Sequence, residues 1–265
     1  MTHIHLGKAP GRARLETRAG ALVPRVIEVG PAFARVAIVA GGALLLGGDS
    51  VHVSITVGAG CTLELEDIGG TVAYDADGRG SEWVVEVTVE ANALLIWHGL
   101  PFVVADGANV DRRTTITLSG AGAVACLRET IVLGRTGERG GTIDLSTTVH
   151  TTPVGGSAAT DPLFVERLRV RGAEPVPGVL GRHRVLDSLL LLGARAPADA
   201  AAVSGGPTAA RGSTEVLELE GPASIARSLQ HEAHRSVLSP VWEDWCAHAL
   251  SVHRSTSRTP VLEPR

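Results

Sequence analysis

The chain has 265 residues, 44% of them hydrophobic, so it can bury a sizeable core and does not have the composition of a disordered polymer. A net charge of −4 and an aromatic share of only 3% exclude the strong basic excess of a nucleic-acid binder and leave few stacking platforms for bases or sugars. The three cysteines, Cys61, Cys126 and Cys246, are odd in number and far apart, which argues against a disulfide framework and against a Cys-based zinc site; they read as buried thiols in a reducing compartment.

Residues 1–20 open with Met1-Thr-His-Ile-His-Leu-Gly-Lys8, which lacks the apolar stretch that export requires. They read as a flexible N-terminus of a cytoplasmic protein. His3 and His5 fall on one side of an extended segment, and imidazole suits Ni, Cu and Zn alike, so the pair is a candidate metal site or else a mobile polar arm. The longest apolar runs are broken by glycine or too short to span a bilayer, so no membrane segment is expected.

Residues 21–220 read as a β body. Val51-His-Val-Ser-Ile-Thr-Val57, Trp83-Val-Val-Glu-Val-Thr-Val89 and Arg113-Thr-Thr-Ile-Thr-Leu118 alternate apolar and polar side chains, the period of a half-buried strand. Gly58-Ala-Gly60, Glu90-Ala-Asn92 and Gly120-Ala-Gly122 each precede an apolar run at a spacing of about 30 residues, a weak internal repeat compatible with stacked β coils. Residues 193–212, rich in Ala, Pro, Gly and Ser, read as a loop within this body.

Residues 221–254 read as a helical segment of two α-helices. Ile225, Leu229 and Ala233 recur at helical spacing, and Ser239-Pro240 looks like a cap and first turn ahead of a Trp242, Trp245, Ala249 stripe. On such a first helix His231 and His234 would be i, i+3 neighbours able to share a metal. Residues 255–265 form a tail.

The chemistry-bearing motifs are few. There is no G-x-x-x-x-G-K-[ST] phosphate loop, no G-x-S-x-G elbow and no H-E-x-x-H, so neither nucleotide hydrolysis nor acyl transfer is expected. Three acidic residues sit in distinctive settings: Asp49 after Gly47-Gly48, Glu138 within Leu133-Gly-Arg-Thr-Gly-Glu-Arg-Gly-Gly141, and Glu166 in Phe164-Val-Glu-Arg-Leu-Arg-Val170. Taken alone, each is a turn or surface carboxylate; a paired-carboxylate β-helix hydrolase acting on carbohydrate and a β-rich binding module without a metal role stand as the other readings.

Taken in order, these segments resemble the UreD (UreH) family of urease accessory proteins, in its actinobacterial branch. The resemblance rests on Leu44-Leu-Leu-Gly-Gly-Asp-Ser50, with Gly48 and Asp49; on Gly69-Gly-Thr-Val-Ala-Tyr74; and on Leu94-Leu-Ile-Trp97 with Pro101. It also rests on Gly134-Arg135 with Glu138 and Gly141, on Leu163 to Arg169, and on Ala226-Arg-Ser-Leu229 through Leu238-Ser-Pro-Val-Trp-Glu-Asp-Trp245. Val72 stands where the family commonly has lysine, and His98-Gly99 follows Trp97 in place of Leu-Pro. The resemblance implies a β-helix-like, non-enzymatic scaffold and chaperone with two C-terminal helices. It implies a complex with UreF and UreG on apo-urease, and a water-filled route along which transient Ni²⁺ passes with no cofactor held permanently. Asp49, Glu138 and Glu166 are then candidates for that route, Gly48, Tyr74, Trp97, Gly134, Arg135 and Gly141 for its structural motif, and Trp242 and Trp245 for packing on the body or against a partner.

Overall fold

In the computed structural model, which describes residues 1–152, 162–197 and 214–256, the alternating segments wind into a β-solenoid of two facing sheets. One sheet runs, in spatial order, β14 (Pro162–Arg171), β13 (Thr142–Thr152), β11 (Asn109–Ser119), β8 (Ser81–Glu90), β5 (Ser50–Val57), β1 (Thr2–Ala9) and β2 (Arg12–Arg18). The other runs β16 (Thr214–Glu218), β17 (Ala223–Gln230), β15 (Val185–Leu192), β12 (Val124–Leu133), β9 (Leu94–His98), β6 (Thr62–Asp67), β4 (Phe33–Ala40) and β3 (Leu22–Val29). Short strands β7 (Thr71–Ala73) and β10 (Phe102–Val104) form a narrow third facet.

The central strands are parallel because the chain returns to each sheet only after visiting the other. Phe33 pairs with Thr62, Thr62 with Leu94 and Leu94 with Val124, so one turn takes about 30 residues. The repeated glycine turns stack on one edge. Gly60, Asn92 and Gly122 share positive φ of 66°, 52° and 70°, and Gly60 N–H bonds Ala91 O while Asn92 N–H bonds Ala121 O. A left-handed residue is needed once per turn, which is why Gly or Asn recurs there. Antiparallel strand pairs close both ends.

The inward positions of the alternation fill the core between the sheets: Val53, Ile55, Val57, Leu63, Leu65, Val85, Val87 and Ile116 among them. A second core lies on the outer face of the β15–β12–β9 sheet. There α1 (Leu238–Thr256) covers Leu94, Val124, Cys126, Leu189 and Leu191 with Leu238, Val241, Trp245 and Ala249. Covered on both faces, β15 is buried along its whole length, including Asp187 and Ser188. Among the described residues no helix is long and apolar enough to cross a membrane.

Three expectations are corrected. Residues of the supposed flexible N-terminus form β1 and β2, because Ile4 and Leu6 continue the inward register beside Ile55 and Val57. The first of the two C-terminal helices is strand β17: Ile225 and Leu229 lie four apart, a spacing that places side chains on one face of a strand as well as of a helix, and pairing with β15 decides between them. α1 is therefore the single α-helix among the described residues, followed into it by Ser255 and Thr256 of the supposed tail. The loop at 193–212 lies largely outside the described residues, as do 257–265.

Candidate functional site

The UreD-like turn motifs collect on one edge of the solenoid. Tyr74 N–H bonds Leu45 O, Ala105 N–H bonds Ala73 O and Gly134 N–H bonds Val104 O, so the corners at 45–49, 73–80, 104–108 and 134–141 stack as successive levels. Gly48, Asp49, Tyr74, Gly134, Arg135, Glu138 and Gly141 all lie on this edge. Asp49 and Glu138 are three levels apart, on the order of 14 Å at strand spacing, and do not form one carboxylate site.

Each acidic residue has local work. Asp49 Oδ2 accepts the Leu46 N–H at 2.9 Å and closes the Gly47-Gly48 turn. Glu138 accepts from Arg135 N–H at 2.8 Å, from Arg135 Nε at 2.8 Å and from Asp106 N–H at 3.2 Å. The Arg135 guanidinium and these backbone donors hold its carboxyl at about 2. Asp106 Oδ1 in turn accepts the Arg139 and Gly140 N–H groups, and Arg184 donates to the carbonyls of Leu133, Gly134 and Arg135. A Cβ on Gly141 would stand 2.2 Å from Ala108 O, so glycine is sterically required there. Glu166 lies elsewhere, pairing at 2.5 Å with Arg227 across the gap between β14 and β17, at a cleft of about 390 Å³ that Glu215 also lines.

Between the sheets is a cavity of about 60 Å³, room for a few waters, lined by Asp67, Trp97, Arg112, Thr114, Glu129 and Thr147 among others. Trp97 Nε1 donates to Asp67 Oδ1 at 3.1 Å, and Leu100 N–H donates to Oδ2 at 3.1 Å. Burial raises the Asp67 carboxyl above its ordinary value, and these two bonds partly offset it. Arg112 pairs with Glu129 and lies over the Phe102 ring at 4.7 Å. Asp67 and Glu129 are the carboxylates the cavity offers a cation, and Arg112 and Arg128 are the positive charges that line it beside them. Sequence reasoning missed these residues. Their signal was polar side chains in the inward register: Leu63-x-Leu65-x-Asp67 and Leu127-x-Glu129-x-Ile131.

The histidine candidates are less developed. His3 and His5 stand on the outer face of β1 with ring centroids 6.4 Å apart, and His3 Nδ1 lies 3.4 Å from Ser54 Oγ. Among the described residues no three His, Cys, Asp or Glu side chains converge on a metal position. His231 and His234 do not share a helix: His234 sits in a single 3-10 turn, Ala233–Arg235, and His231, outside it, meets His183 at 5.0 Å. Of the tryptophan stripe, Trp245 is fully buried on the face of α1 that packs on the sheet and offers no surface, whereas half-buried Trp242 stacks on His98 at 5.3 Å. Burial and then nearby Arg128 depress the His98 imidazole, favouring the neutral ring in that stack.

A family model described as UreD urease accessory protein matches residues 2–260. The chain is 38% identical over 217 residues to urease accessory protein UreD 1 of Streptomyces griseus, covering 80% of this chain and 76% of that one. It is 31% identical over 201 residues to UreD 2 of Saccharopolyspora erythraea, covering 74% and 68%. It is 30% identical over 243 residues to UreD 3 of Streptomyces griseus, covering 84% and 89%.

Proposed function

Because the chain belongs to the UreD family of urease accessory proteins, we propose that it acts as the scaffold through which Ni²⁺ reaches apo-urease, in a cytoplasmic complex with UreF and UreG. Its place in urease maturation as an accessory protein, not an enzyme, follows from the family itself. The finer assignment draws its main support from the polar cavity between the sheets.

A dication crossing a protein interior needs compensating charge, because an isolated buried ion costs several kcal/mol even after relaxation. Asp67 and Glu129 supply hard oxygens inside the solenoid, and Glu166 with Glu215 supplies them at the cleft by its C-terminal strands. Such donors hold nickel weakly compared with thiolate cages, which suits passage more than storage. The chain carries no phosphate loop, so the GTP-dependent step falls to UreG in this reading. Glu138 supports the route from its edge, holding the turn that contacts the third facet at Val104.

The test co-expresses the chain with urease subunits, UreF and UreG and measures nickel per urease active site, normalised for assembled complex. Glu129→Gln and Glu138→Gln are expected to leave assembly intact and lower the nickel content. If assembly and nickel fall together, or neither changes, the chain is a scaffold without a part in metal transfer.

A further inference from the structure

The charge of the surface is uneven in a way the nickel reading does not use. Beside the Gly134–Gly141 turn lies a groove of about 260 Å³ between the end of β14 and the segment 172–184. Arg139, Arg169, Arg171, Arg182 and Arg184 line it against Glu138 and Glu174, an excess of three positive charges on a chain whose net charge is −4. Two of these arginines are committed: Arg184 to three backbone carbonyls, Arg171 to Glu174 at 3.1 Å. Glu138 is committed to Arg135. Arg139 and Arg182 have no ion-pair partner among the described residues. Arg169 faces Asp144, whose carboxylate already takes two bonds from Arg167.

The same groove exposes aliphatic surface. Val176 and Val179 are 53% and 37% exposed beside the arginines. A small inorganic anion would gain nothing from these valines, and a nucleic acid would want an extended basic surface, which a net-acidic chain does not present. Arginine beside exposed aliphatic side chains is the chemistry of a protein interface, since guanidinium is weakly hydrated and pairs carboxylates bidentately. We infer that this groove docks an acidic segment, carrying aliphatic side chains, of a protein in the urease-maturation assembly, with Arg139, Arg169 and Arg182 as its charge readers.

This inference rests on the proposed function and is tested separately from it. The full chain is co-expressed with urease subunits, UreF and UreG, as wild type and as the triple variant Arg139→Glu/Arg169→Glu/Arg182→Glu. A control reverses Arg12, Arg18 and Arg25 at the opposite end of the solenoid. The groove variant is expected to retain at least one partner about tenfold less well while the control retains all of them, and both are expected to melt like wild type. If the groove variant melts lower, Arg139→Gln/Arg182→Gln replaces it. Full retention by a normally melting groove variant, or equal loss in the control, overturns the docking assignment and leaves the scaffold reading standing. Absence of every partner from the wild-type preparation overturns the scaffold reading itself.

Discussion

Asp187 and Glu138 each hold an arginine, at 2.8 Å and 2.5 Å, but in opposite surroundings. Asp187 is fully buried on β15 beneath the start of α1. It binds Arg128 with both oxygens, accepts from Thr130 at 2.9 Å, and accepts from Ser236, whose Oγ also caps the Leu238 N–H. Arg128 reaches on to Ser239 at 3.3 Å. Glu138 holds Arg135 on the exposed edge, where the arginine side chain is 57% exposed. The closer pair is therefore the weaker lever on stability. Water and salt screen the edge pair, whereas breaking the buried one strands charge and hydroxyls with nothing to replace it.

The comparison breaks most visibly at Asp187. Replacing it by alanine takes from Arg128, Thr130 and Ser236 the buried acceptor they share under α1 and is expected to cost about 3–5 kcal/mol, read as a drop in the denaturant midpoint. Loss of the α1 contact is expected in the same variant as increased exposure of Trp245, followed by tryptophan fluorescence. A shift no larger than that of an edge variant would mean the pair does not anchor the helix.

On the edge the backbone is expected to matter more than the charge. Gly141→Ala forces a methyl against Ala108 O and is expected to destabilise by about 1–3 kcal/mol. Glu138→Gln, which keeps one acceptor for the same turn, is expected to shift the melting temperature less than Gly141→Ala. The reverse order would make Glu138 the anchor of the turn.

The smallest effect is a pH dependence. The folded-state pKa of Glu138 lies below its ordinary 4.5, at about 2. Its contribution is thus fully present above pH 4.5 and is lost as pH falls toward 2. The difference in melting temperature between wild type and Glu138→Gln is expected to narrow across that window and to stay constant above it. A difference that persists unchanged at the acid end would show that the Arg135 pair is not its source.

The solenoid was largely legible in the sequence, and the contents of its interior were not. Alternation at 51–57, 83–89 and 113–118 and the turn residues Gly60, Asn92 and Gly122 are local signals, set by the two-residue pleat and by the left-handed φ that a tight corner demands. They announced the strands, the repeat and the edge on which Gly60, Asn92 and Gly122 stack. β17 was misread because a four-residue spacing fits strand and helix equally. β1 was missed because its inward residues, Ile4 and Leu6, are interleaved with histidines and read as polar.

By itself the sequence determined the coil length, the corner chemistry, the absence of a phosphate loop and membership of the UreD family. The tertiary structure alone decided which charged side chains share a space. Arg128 meets Asp187 across 59 positions, Trp97 meets Asp67 across 30, and the arginine groove draws Arg139, Arg169 and Arg182 from three separate segments. Backbone preferences act over two to four residues and are written in the order of the chain. The solvation of a charge depends on whatever packs against it from other turns of the coil, and only folding brings those neighbours together.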